Sequence, residues 1–569
     1  MRKLKEWFLR NKIRTAALVI VSAVLVLSIY LNIYFWVSHR KISPISIKTT
    51  QSIIEVDLTR KERKMMVDSL KENVQSYQEL RKLDLNNKIP PALRFSPVIS
   101  GVTNYHTSSE FRLSPEKGIE IPDRFEDVAF YPVTHLSHLI QSGKITSVQL
   151  TKLYLDRLKK YGPKLKCVVT LTEELALKQA RKADDEISSG KYRGPLHGIP
   201  YGAKDLFSTK GIKTTWGAAP YKEQVPDENA TVIKRLEEAG AVLVAKLSMG
   251  ALAMGDVWYK GRTLNPWNLK QGSSGSSAGS AAATSSGLVG FALGTETWGS
   301  IISPSTRCRV TGLRPTFGRV SRYGAMALSW SMDKIGPICR TVEDCAVVFQ
   351  AIHGPDGKDM TVVDKAFSWN PEANIHDIRV GFLKNVFQEE NGSKKKYQMV
   401  IDTFESLGIN LIPMELPDFP VYSLSFILNV EAAAAFDALT RSNKDDLLSR
   451  QGEGAWPNIF RQARFIPAVE YIQANRFRTK LIQDMQEKMK GIDVFVAPTF
   501  EGKTLLLTNL TGHPAVVVPT GVDKENHSTS ITFIGDLYEE GKLLRVSKAF
   551  QDATQFHKDH PVLESMLNK

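Results

Sequence analysis

The feature that most constrains this chain is a stretch from Gly272 to Pro315 that reads GSSGSSAGSAAATSSGLVGFALGTETWGSIISPSTRCRVTGLRP. Its glycines and serines alone would suit a flexible linker, but a linker does not carry an apolar run such as residues 288–293 at its centre. Glycines let backbone N–H groups approach a reacting carbonyl, and a serine supplies a hydroxyl nucleophile. The stretch therefore favours a hydroxyl-nucleophile active site.

Three blocks in this region resemble, in the same order, the signature of the amidase signature family. They read GSSAGSAAA from Gly275, GTETWGSI from Gly294 and GLRPTFGRVS from Gly312 to Ser321. Upstream, GPLHGIPYGAKDLFSTKG from Gly194 resembles the lysine block of the family, and the segments 493–500 and 509–521 resemble its closing strands. Several ordered blocks identify a family far better than one motif does. The similarity runs from about Tyr131 to the C-terminus.

The resemblance implies a catalytic set of two serines and a lysine. The nucleophile is then Ser300, the serine that the family carries on a cis peptide bond is Ser276, and the lysine is Lys204. Ser277, which follows Ser276, is the alternative for the second serine. The family also uses backbone N–H groups at the nucleophile turn to hold an oxyanion; the matching residues are Thr297, Trp298, Gly299 and Ser300.

The chain departs from the family pattern at two positions beside the nucleophile. Trp298 replaces one of the two glycines before the serine, and Ile302 replaces the arginine that commonly follows the serine–isoleucine pair. The second change removes a positive charge close to the site, which leaves the catalytic residues intact and alters the polar network around them.

The residue chemistry leads to the same roles independently. A serine hydroxyl needs a base, and no histidine lies in or beside the glycine-rich stretch. Lys204 lies in HGIPYGAKDLF, among apolar residues and glycines. Burial disfavours the ammonium form of lysine and turns it into a base. The other interpretation of Lys204 is an exposed lysine or one paired with the adjacent Asp205, which is the usual situation of a lysine.

Alternating helical and β-branched patterns after Tyr131 predict an α/β fold. Segments 145–158 and 231–238 have helical periodicity, and segments 242–245 and 494–497 have the composition of strands. Such alternation favours a sheet covered on both faces, and the resemblance implies a single α/β/α domain around a mixed sheet, residues 131–569. The G-x-S-x-G match at Gly275 is weak evidence for an α/β-hydrolase elbow, since residues 265–271 look like turn and loop.

An apolar run without charge, residues 15–37, precedes the catalytic region. It is long enough to cross a bilayer as a helix. A basic tail, residues 1–14, precedes it, and fewer basic residues follow, which predicts a cytoplasmic N-terminus and a catalytic domain on the exoplasmic side. A cleaved signal peptide and a buried core helix are the alternatives; the length and the aromatic exit of the run favour an uncleaved anchor. Residues 38–130 are expected to form a linker and a helical arm, with a helix over 60–83.

Composition and charge restrict the kinds of molecule that this protein is expected to bind. The net charge of +14 comes partly from the N-terminal basic tail, and the remaining excess is spread over the chain without a basic block interleaved with aromatic residues, so nucleic acid is not expected. Four cysteines in 569 residues do not form a disulfide framework, and neither a metal site nor a cofactor motif is found. The expected partners are a small-molecule amide substrate and, through the N-terminal helix, a membrane; a homo-oligomer stays open.

These observations predict a membrane-anchored serine amidase that forms an acyl-enzyme on Ser300. Two other hypotheses belong to different classes. One is a glutamine amidase subunit of an amidotransferase complex, and the other is a membrane-tethered binding protein that kept the fold without the chemistry. The anchor argues against the first, and the presence of Lys204, Ser276 and Ser300 argues against the second.

Overall fold

The structure, a computed structural model, describes residues 1–40, 42–54, 56–83, 110–115, 118–387, 393–500 and 502–564. The strands are β1 Val168–Leu171, β2 Pro200–Lys204, β3 Val242–Leu247, β4 Val257–Trp258, β5 Gly261–Arg262, β6 Leu264–Asn265, β7 Asn268–Gly272, β8 Phe291–Glu296, β9 Thr311–Arg314, β10 Lys334–Cys339, β11 Val380–Leu383, β12 Ile412–Met414, β13 Val494–Pro498, β14 Ala515–Val522 and β15 Ser528–Gly535.

Eighteen α-helices lie among the described residues. They are α1 Arg2–Arg40, α2 Pro44–Ile54, α3 Arg60–Arg81, α4 Val133–Gln141, α5 Ser147–Leu165, α6 Glu173–Ser188, α7 Thr231–Glu238, α8 Ala278–Ser285, α9 Ile302–Cys308, α10 Val342–Ile352, α11 Lys384–Phe387, α12 Ser393–Ser406, α13 Phe426–Ala435, α14 Asp437–Arg441, α15 Trp456–Ala463, α16 Ala468–Met489, α17 Thr504–Thr511 and α18 Glu540–Thr554.

Eleven of the strands form one mixed sheet in the order β1-β3-β2-β8-β10-β9-β14-β15-β13-β11-β12. Strand β2 runs parallel to both β3 and β8, and β11 runs parallel to β12 and β13, whereas the other neighbours are antiparallel. Parallel pairs need crossover connections, and the helices between the strands provide them.

The sheet is apolar on both faces because successive side chains of a strand point to opposite sides. In β8, Phe291 and Leu293 belong to one hydrophobic cluster, and Ala292 between them belongs to another. In β3, Leu243 lies in the first cluster and Val244 in the second. Helices therefore cover both faces, and the predicted α/β architecture with a mixed sheet is confirmed.

The predicted helices and strands are present with shifted ends, since the helix expected over 145–158 spans Ser147–Leu165 and the strands expected over 242–245 and 494–497 extend to Leu247 and Pro498; one segment differs in type. The helix expected from residue 145 begins at Ser147, because Thr146 caps it in a reciprocal pair with Gln149. Residues 265–271, expected to be turn and loop, instead contribute to a two-stranded hairpin, β6 with β7. The hairpin lies outside the main sheet, and five residues, 273–277, separate it from α8. A strand of the central sheet, which the nucleophile elbow requires, therefore does not lead into Ser276.

The N-terminal part consists of a long helix followed by an arm. In α1, the segment Leu4–Leu31 has a mean hydropathy of 2.2 and is not buried by the rest of the protein. By length and composition it is the one helix among the described residues that could cross a membrane. The arm helix α3 begins with a capping box of Thr59 and Glu62 and ends at Arg81, two residues before the predicted end at residue 83. The loop expected after Pro90 lies outside the described residues.

The arm packs on the catalytic region. The ring of Tyr77 in α3 packs edge to face on Phe426, with 5.2 Å between the ring centroids. Glu62 forms an ion pair with Arg461 of α15, with 2.8 Å between Oε1 and Nη2. A small apolar cluster that includes Ile47 and Met66 closes against Phe465. The arm thus connects α1 to the surface formed by α13, α15 and α16.

Candidate active site

The predicted site residues converge at the carboxyl ends of two adjacent parallel strands. Lys204 is the last residue of β2, and the turn that carries Ser300 follows β8, which pairs in parallel with β2. The loop with Ser276 connects β7 to α8 and is bound to the same turn, because the N–H of Ser277 donates to the carbonyl of Ser300 at 3.1 Å. The ends of neighbouring parallel strands are where α/β proteins commonly bind ligands.

Lys204 is fully buried and surrounded by hydroxyls. Its Nζ lies 2.8 Å from Ser276 Oγ, 3.0 Å from Ser277 Oγ and 2.7 Å from Thr295 Oγ1. No carboxylate among the described residues pairs with it, because the adjacent Asp205 faces the buried Lys246 at 3.4 Å instead. The interpretation of Lys204 as an exposed or ion-paired lysine is therefore wrong.

Burial lowers the pKa of Lys204 to about 7, although Asp333 and Glu296 oppose the shift. An ammonium group without a paired carboxylate is poorly solvated in such a pocket, so the neutral amine is stabilised. A neutral amine has a lone pair that accepts a proton from a hydroxyl, which makes Lys204 suited to act as a base near neutral pH.

The two serines beside Lys204 differ in their hydrogen bonds. Ser277 Oγ donates to the carbonyl of Thr295 at 3.2 Å and accepts from the N–H of Thr295 at 3.2 Å, so it is committed to the backbone of β8. Among the described residues, Ser276 Oγ has Lys204 as its one hydrogen-bond partner. The peptide bond between Gly275 and Ser276 is cis. The hydroxyl of Ser276 is thus the one left to exchange a proton with Lys204 and a further group.

The turn after β8 presents Ser300 with its backbone donors unused. Ser300 is 9% exposed, and within the described part of the chain its Oγ makes no hydrogen bond. The N–H groups of Thr297, Trp298, Gly299 and Ser300 likewise have no acceptor among the described residues. Free N–H groups beside a free hydroxyl can hold the negative oxygen that forms when the hydroxyl attacks a carbonyl.

A buried carboxylate that the sequence analysis did not single out closes this turn. Glu296 Oε2 accepts from the N–H groups of Ile301 and Ile302, both at 2.9 Å, and Oε1 accepts from Arg314 Nη1 at 2.8 Å and from Asn509 Nδ2 at 2.9 Å. Burial opposes ionisation, but Arg314 and these donors hold the pKa of Glu296 below its ordinary value. The charged carboxylate therefore ties together the two ends of the nucleophile turn.

The two departures from the family pattern are explained by this geometry. Gly299 has φ near +82° and is the one residue of the turn in the left-handed region, so Trp298 occupies ordinary backbone space and needs no glycine. An added Cβ at Gly299 would lie 3.0 Å from a methyl group of Leu505. Ile302 contributes its backbone N–H to Glu296, and the charge of that carboxylate is balanced by Arg314 of β9 in a buried ion pair.

We expect Glu296→Gln to lower kcat by roughly ten- to a hundredfold, because a loosened turn misplaces Ser300 and the N–H donors. It should also lower the free energy of unfolding by about 3 kcal/mol, since Arg314 would be left buried without a counter-charge. Steady-state kinetics and denaturant unfolding measure both. The matched control is Glu343→Gln, a buried carboxylate of α10 that accepts from Ser114; it should affect stability alone. An unchanged kcat in Glu296→Gln would refute the role given to this carboxylate.

Comparison with known proteins gives a consistent result. The amidase family model matches residues 149–544. The A subunit of the glutamyl-tRNA(Gln) amidotransferase from Carboxydothermus hydrogenoformans is 34% identical over 491 residues, which cover 77% of this chain and 100% of that protein. The corresponding protein from Coxiella burnetii is 33% identical over 480 residues, 76% of this chain and 99% of that protein.

Solved structures of similar proteins share the fold. The native peptide amidase from Stenotrophomonas maltophilia is 26% identical, with a TM-score of 0.67 over 76% of this chain and 98% of that one. An amidase family protein from Bacillus anthracis is 26% identical, with a TM-score of 0.69 over 77% of this chain and 93% of that one.

Proposed function

The chain belongs to the amidase family and hydrolyses carbon–nitrogen amide bonds, and we propose that it does so on a membrane-anchored domain through Ser300, Ser276 and Lys204. The observation that carries the catalytic part is the buried Lys204, whose Nζ lies 2.8 Å from the hydroxyl of Ser276, a hydroxyl with no other partner among the described residues. A serine hydroxyl is a weak nucleophile unless a base takes its proton, and Lys204 provides that base for Ser300 through Ser276.

The proposed reaction has two stages. Ser300 Oγ attacks the amide carbonyl and gives its proton to Ser276, while Ser276 gives its own proton to the neutral Lys204. The carbon–nitrogen bond then breaks as the leaving nitrogen takes a proton returned through Ser276, which leaves an ester on Ser300 and releases an amine or ammonia. Water next attacks the ester by the same proton path and releases the carboxylate.

The backbone of the nucleophile turn supports this scheme by stabilising charge. When Ser300 attacks, the carbonyl oxygen becomes negative. The N–H groups of Thr297, Trp298, Gly299 and Ser300, which have no acceptor within the described part of the chain, would donate to it. Removing one donor of this kind typically costs about a hundred- to a thousandfold in rate. A fluorophosphonate probe on the purified chain tests the scheme, since a stable adduct on Ser300 requires an activated hydroxyl. Absence of labelling in active protein would contradict it.

The proposed anchor is the N-terminal segment of residues 15–37, within α1. Six basic residues lie in the tail before it, Arg2, Lys3, Lys5, Arg10, Lys12 and Arg14, which by the positive-inside rule supports a cytoplasmic tail, a single pass and an exoplasmic catalytic domain. The described apolar part of α1 is exposed in the isolated protein. A lipid bilayer would cover these apolar side chains and remove them from water.

Deleting residues 1–40 should move the protein from the membrane pellet to the supernatant with its kcat on small amides unchanged. The reason is that Lys204, Ser276 and Ser300 all lie in the mixed-sheet domain, far from α1 in the chain. Fractionation of cells by high-speed centrifugation, with amide hydrolysis assayed in both fractions, measures this. A full-length protein that stays in the supernatant after lysis would contradict the anchor.

The orientation of the catalytic domain relative to the membrane is tested by protease protection. Protease added to intact cells or spheroplasts should digest the catalytic domain of the full-length protein while a cytoplasmic marker survives. Digestion of the catalytic domain only after lysis would reverse the proposed topology.

A second candidate function is the glutamine amidase subunit of an amidotransferase complex. The observation that favours it is the 34% identity to a glutamyl-tRNA(Gln) amidotransferase subunit over that protein's full length. Such a protein would act with partner subunits, whereas the proposed enzyme acts alone. Ammonia release from glutamine that appears only when partner subunits are added would favour the second candidate.

A further inference from the structure

A cavity of about 440 Å³ opens beside the nucleophile turn. Its inner end is lined by Thr295, whose Oγ1 lies 2.7 Å from Lys204 Nζ, and by Thr297, a residue of the turn itself. Its outer end is lined by Trp330 and Met360, each about half exposed. The volume lies in the range of small-molecule binding pockets. Lys204, Ser276 and Ser300 do not themselves line the cavity, but through Thr295 and Thr297 it borders the residues that contact them.

The wall of this cavity is largely apolar. Between the inner and outer ends it is formed by side chains that include Leu206, Ala253, Met326 and Leu328. Apolar walls bind apolar groups by removing them from water, with a gain proportional to the area covered.

The acidic groups on the wall are already engaged by the protein. Asp333 accepts from Thr297 Oγ1 at 2.5 Å and from the N–H groups of Leu328 and Ser329 at 2.8 and 2.9 Å. Asp359 accepts from Arg322 Nε at 2.9 Å and from the backbone N–H of the same arginine at 3.0 Å. No uncommitted carboxylate therefore remains among the described residues that line the cavity.

The basic groups on the wall are also engaged by other groups of the protein. Arg322 is paired with Asp359, Lys334 donates to the carbonyl of Met332, and Lys358 Nζ lies 3.9 Å from the ring centre of Tyr323. A glutamine-like substrate brings an α-ammonium group, and an ammonium that leaves water needs a carboxylate or several acceptors. Of the two carboxylates that line the cavity, Asp359 is neutralised by Arg322, and Asp333 already accepts hydrogen bonds from three neutral donors, so the wall is a poor match for an ammonium group.

We propose that this cavity takes an apolar substituent of the substrate, so that the chain prefers amides with a bulky alkyl or aryl group over glutamine. The inference rests on the proposed hydrolysis at Ser300 and adds the substrate class of that same site. The substituent would extend from the carbonyl at Ser300, past Thr297, towards Trp330.

Two series of amides test the preference on the full-length protein. Acetamide, butyramide and hexanamide vary the acyl side, and N-methyl-, N-butyl- and N-hexylacetamide vary the nitrogen side. Each buried methylene should raise kcat/KM by about fourfold in the series whose substituent enters the cavity. Glutamine should react more slowly than the longest member of that series. A flat dependence in both series, or glutamine as the best substrate, would overturn the proposal.

A variant that fills the cavity locates the effect. Ala327 lines the cavity and is half-buried, so Ala327→Phe should reduce kcat/KM for the longest substrate about tenfold more than it reduces kcat/KM for acetamide. The matched control is Ala373→Phe, at a half-buried alanine outside the cavity, which should change neither. Equal losses for long and short substrates in Ala327→Phe, with none in the control, would overturn the assignment of the cavity.

Binding to an inactive protein separates this proposal from the catalytic one. In Ser300→Ala, calorimetry should still show an affinity that rises with the length of the substituent. Length-dependent binding without turnover in the wild type would mean that the catalytic proposal fails while the cavity binds as inferred. Turnover without any dependence on length would mean the reverse.

Discussion

Replacing Ser300 with alanine is expected to reduce amide hydrolysis by about ten-thousandfold or more and to abolish labelling by a fluorophosphonate probe. The hydroxyl is the attacking atom in the proposed reaction, and loss of a serine nucleophile leaves only the contribution of binding and the oxyanion donors. Stability should change little, because Ser300 Oγ has no hydrogen bond to lose among the described residues. Thermal unfolding and probe labelling followed by peptide mapping measure the two effects.

The matched control for Ser300→Ala is Ser305→Ala. Ser305 lies in α9, five residues further along the chain, and its buried hydroxyl has no partner within the described part of the chain. This control should keep both its activity and its labelling. Labelling that persists in Ser300→Ala would place the nucleophile elsewhere, and Ser277, which contacts Lys204 at 3.0 Å, would be the first candidate.

Replacing Lys204 with alanine is expected to lower the acylation rate by roughly a hundred- to ten-thousandfold, while substrate binding changes less. General-base catalysis contributes about this much, and Lys204 is the one base in contact with Ser276 among the described residues. Lys204→Arg should be nearly as inactive, because a guanidinium does not release its proton in the working range of pH. Rapid-mixing measurements of the acyl-enzyme give the rate directly.

A second lysine serves as the control for burial. Lys246 is also fully buried, but it pairs with Asp205 at 3.4 Å and donates to Thr214 Oγ1 at 2.6 Å, away from the serines. Lys246→Met should lower stability, since Asp205 would lose its counter-charge. Folded Lys246→Met protein should keep the wild-type dependence of acylation on pH. A change in that dependence would show that Lys246 shares the role given to Lys204.

Much of the fold could be predicted from the sequence because helices and strands have periodic patterns within short segments. The helix Thr231–Glu238 and the strand predicted over 242–245, which the structure extends to Leu247, follow from short amphipathic and β-branched patterns. The hairpin of β6 and β7 was missed, since its pairing of Leu264 with Gly272 and Asn265 with Asn268 depends on contacts that periodicity does not show. A hairpin of two short strands leaves little trace in composition.

The site shows the same division. The lysine and the two serines were predicted from a resemblance in motif order. The parallel pairing of β2 with β8 brings Lys204 to the turn of Ser300, and the hydrogen bond from the Ser277 N–H to the Ser300 carbonyl holds the loop of Ser276 against that turn. Glu296 lies within the motif that identified Ser300, yet its role depends on Arg314 and Asn509, which are distant in sequence. A contact between residues so far apart needs the sheet order and could not be inferred from spacing.

The difference between Ser276 and Ser277 also required three dimensions. Both serines follow Gly275, and both lie within hydrogen-bond distance of Lys204. Only the pairing of Ser277 with both backbone groups of Thr295 leaves Ser276 as the hydroxyl that is free to carry a proton.

The most direct test of the Ser300–Ser276–Lys204 relay is the acylation rate of the wild type against pH, compared with Lys204→Arg. Burial places the pKa of Lys204 at about 7. Because the base is the neutral amine, the wild-type rate should rise about tenfold per pH unit below this pKa, as more of the ammonium form loses its proton, and level off above it. Lys204→Arg should be slow at every pH and show no such rise. A variant that acylates at near-wild-type rates would show that Lys204 acts only as a fixed positive charge, and the relay would be wrong.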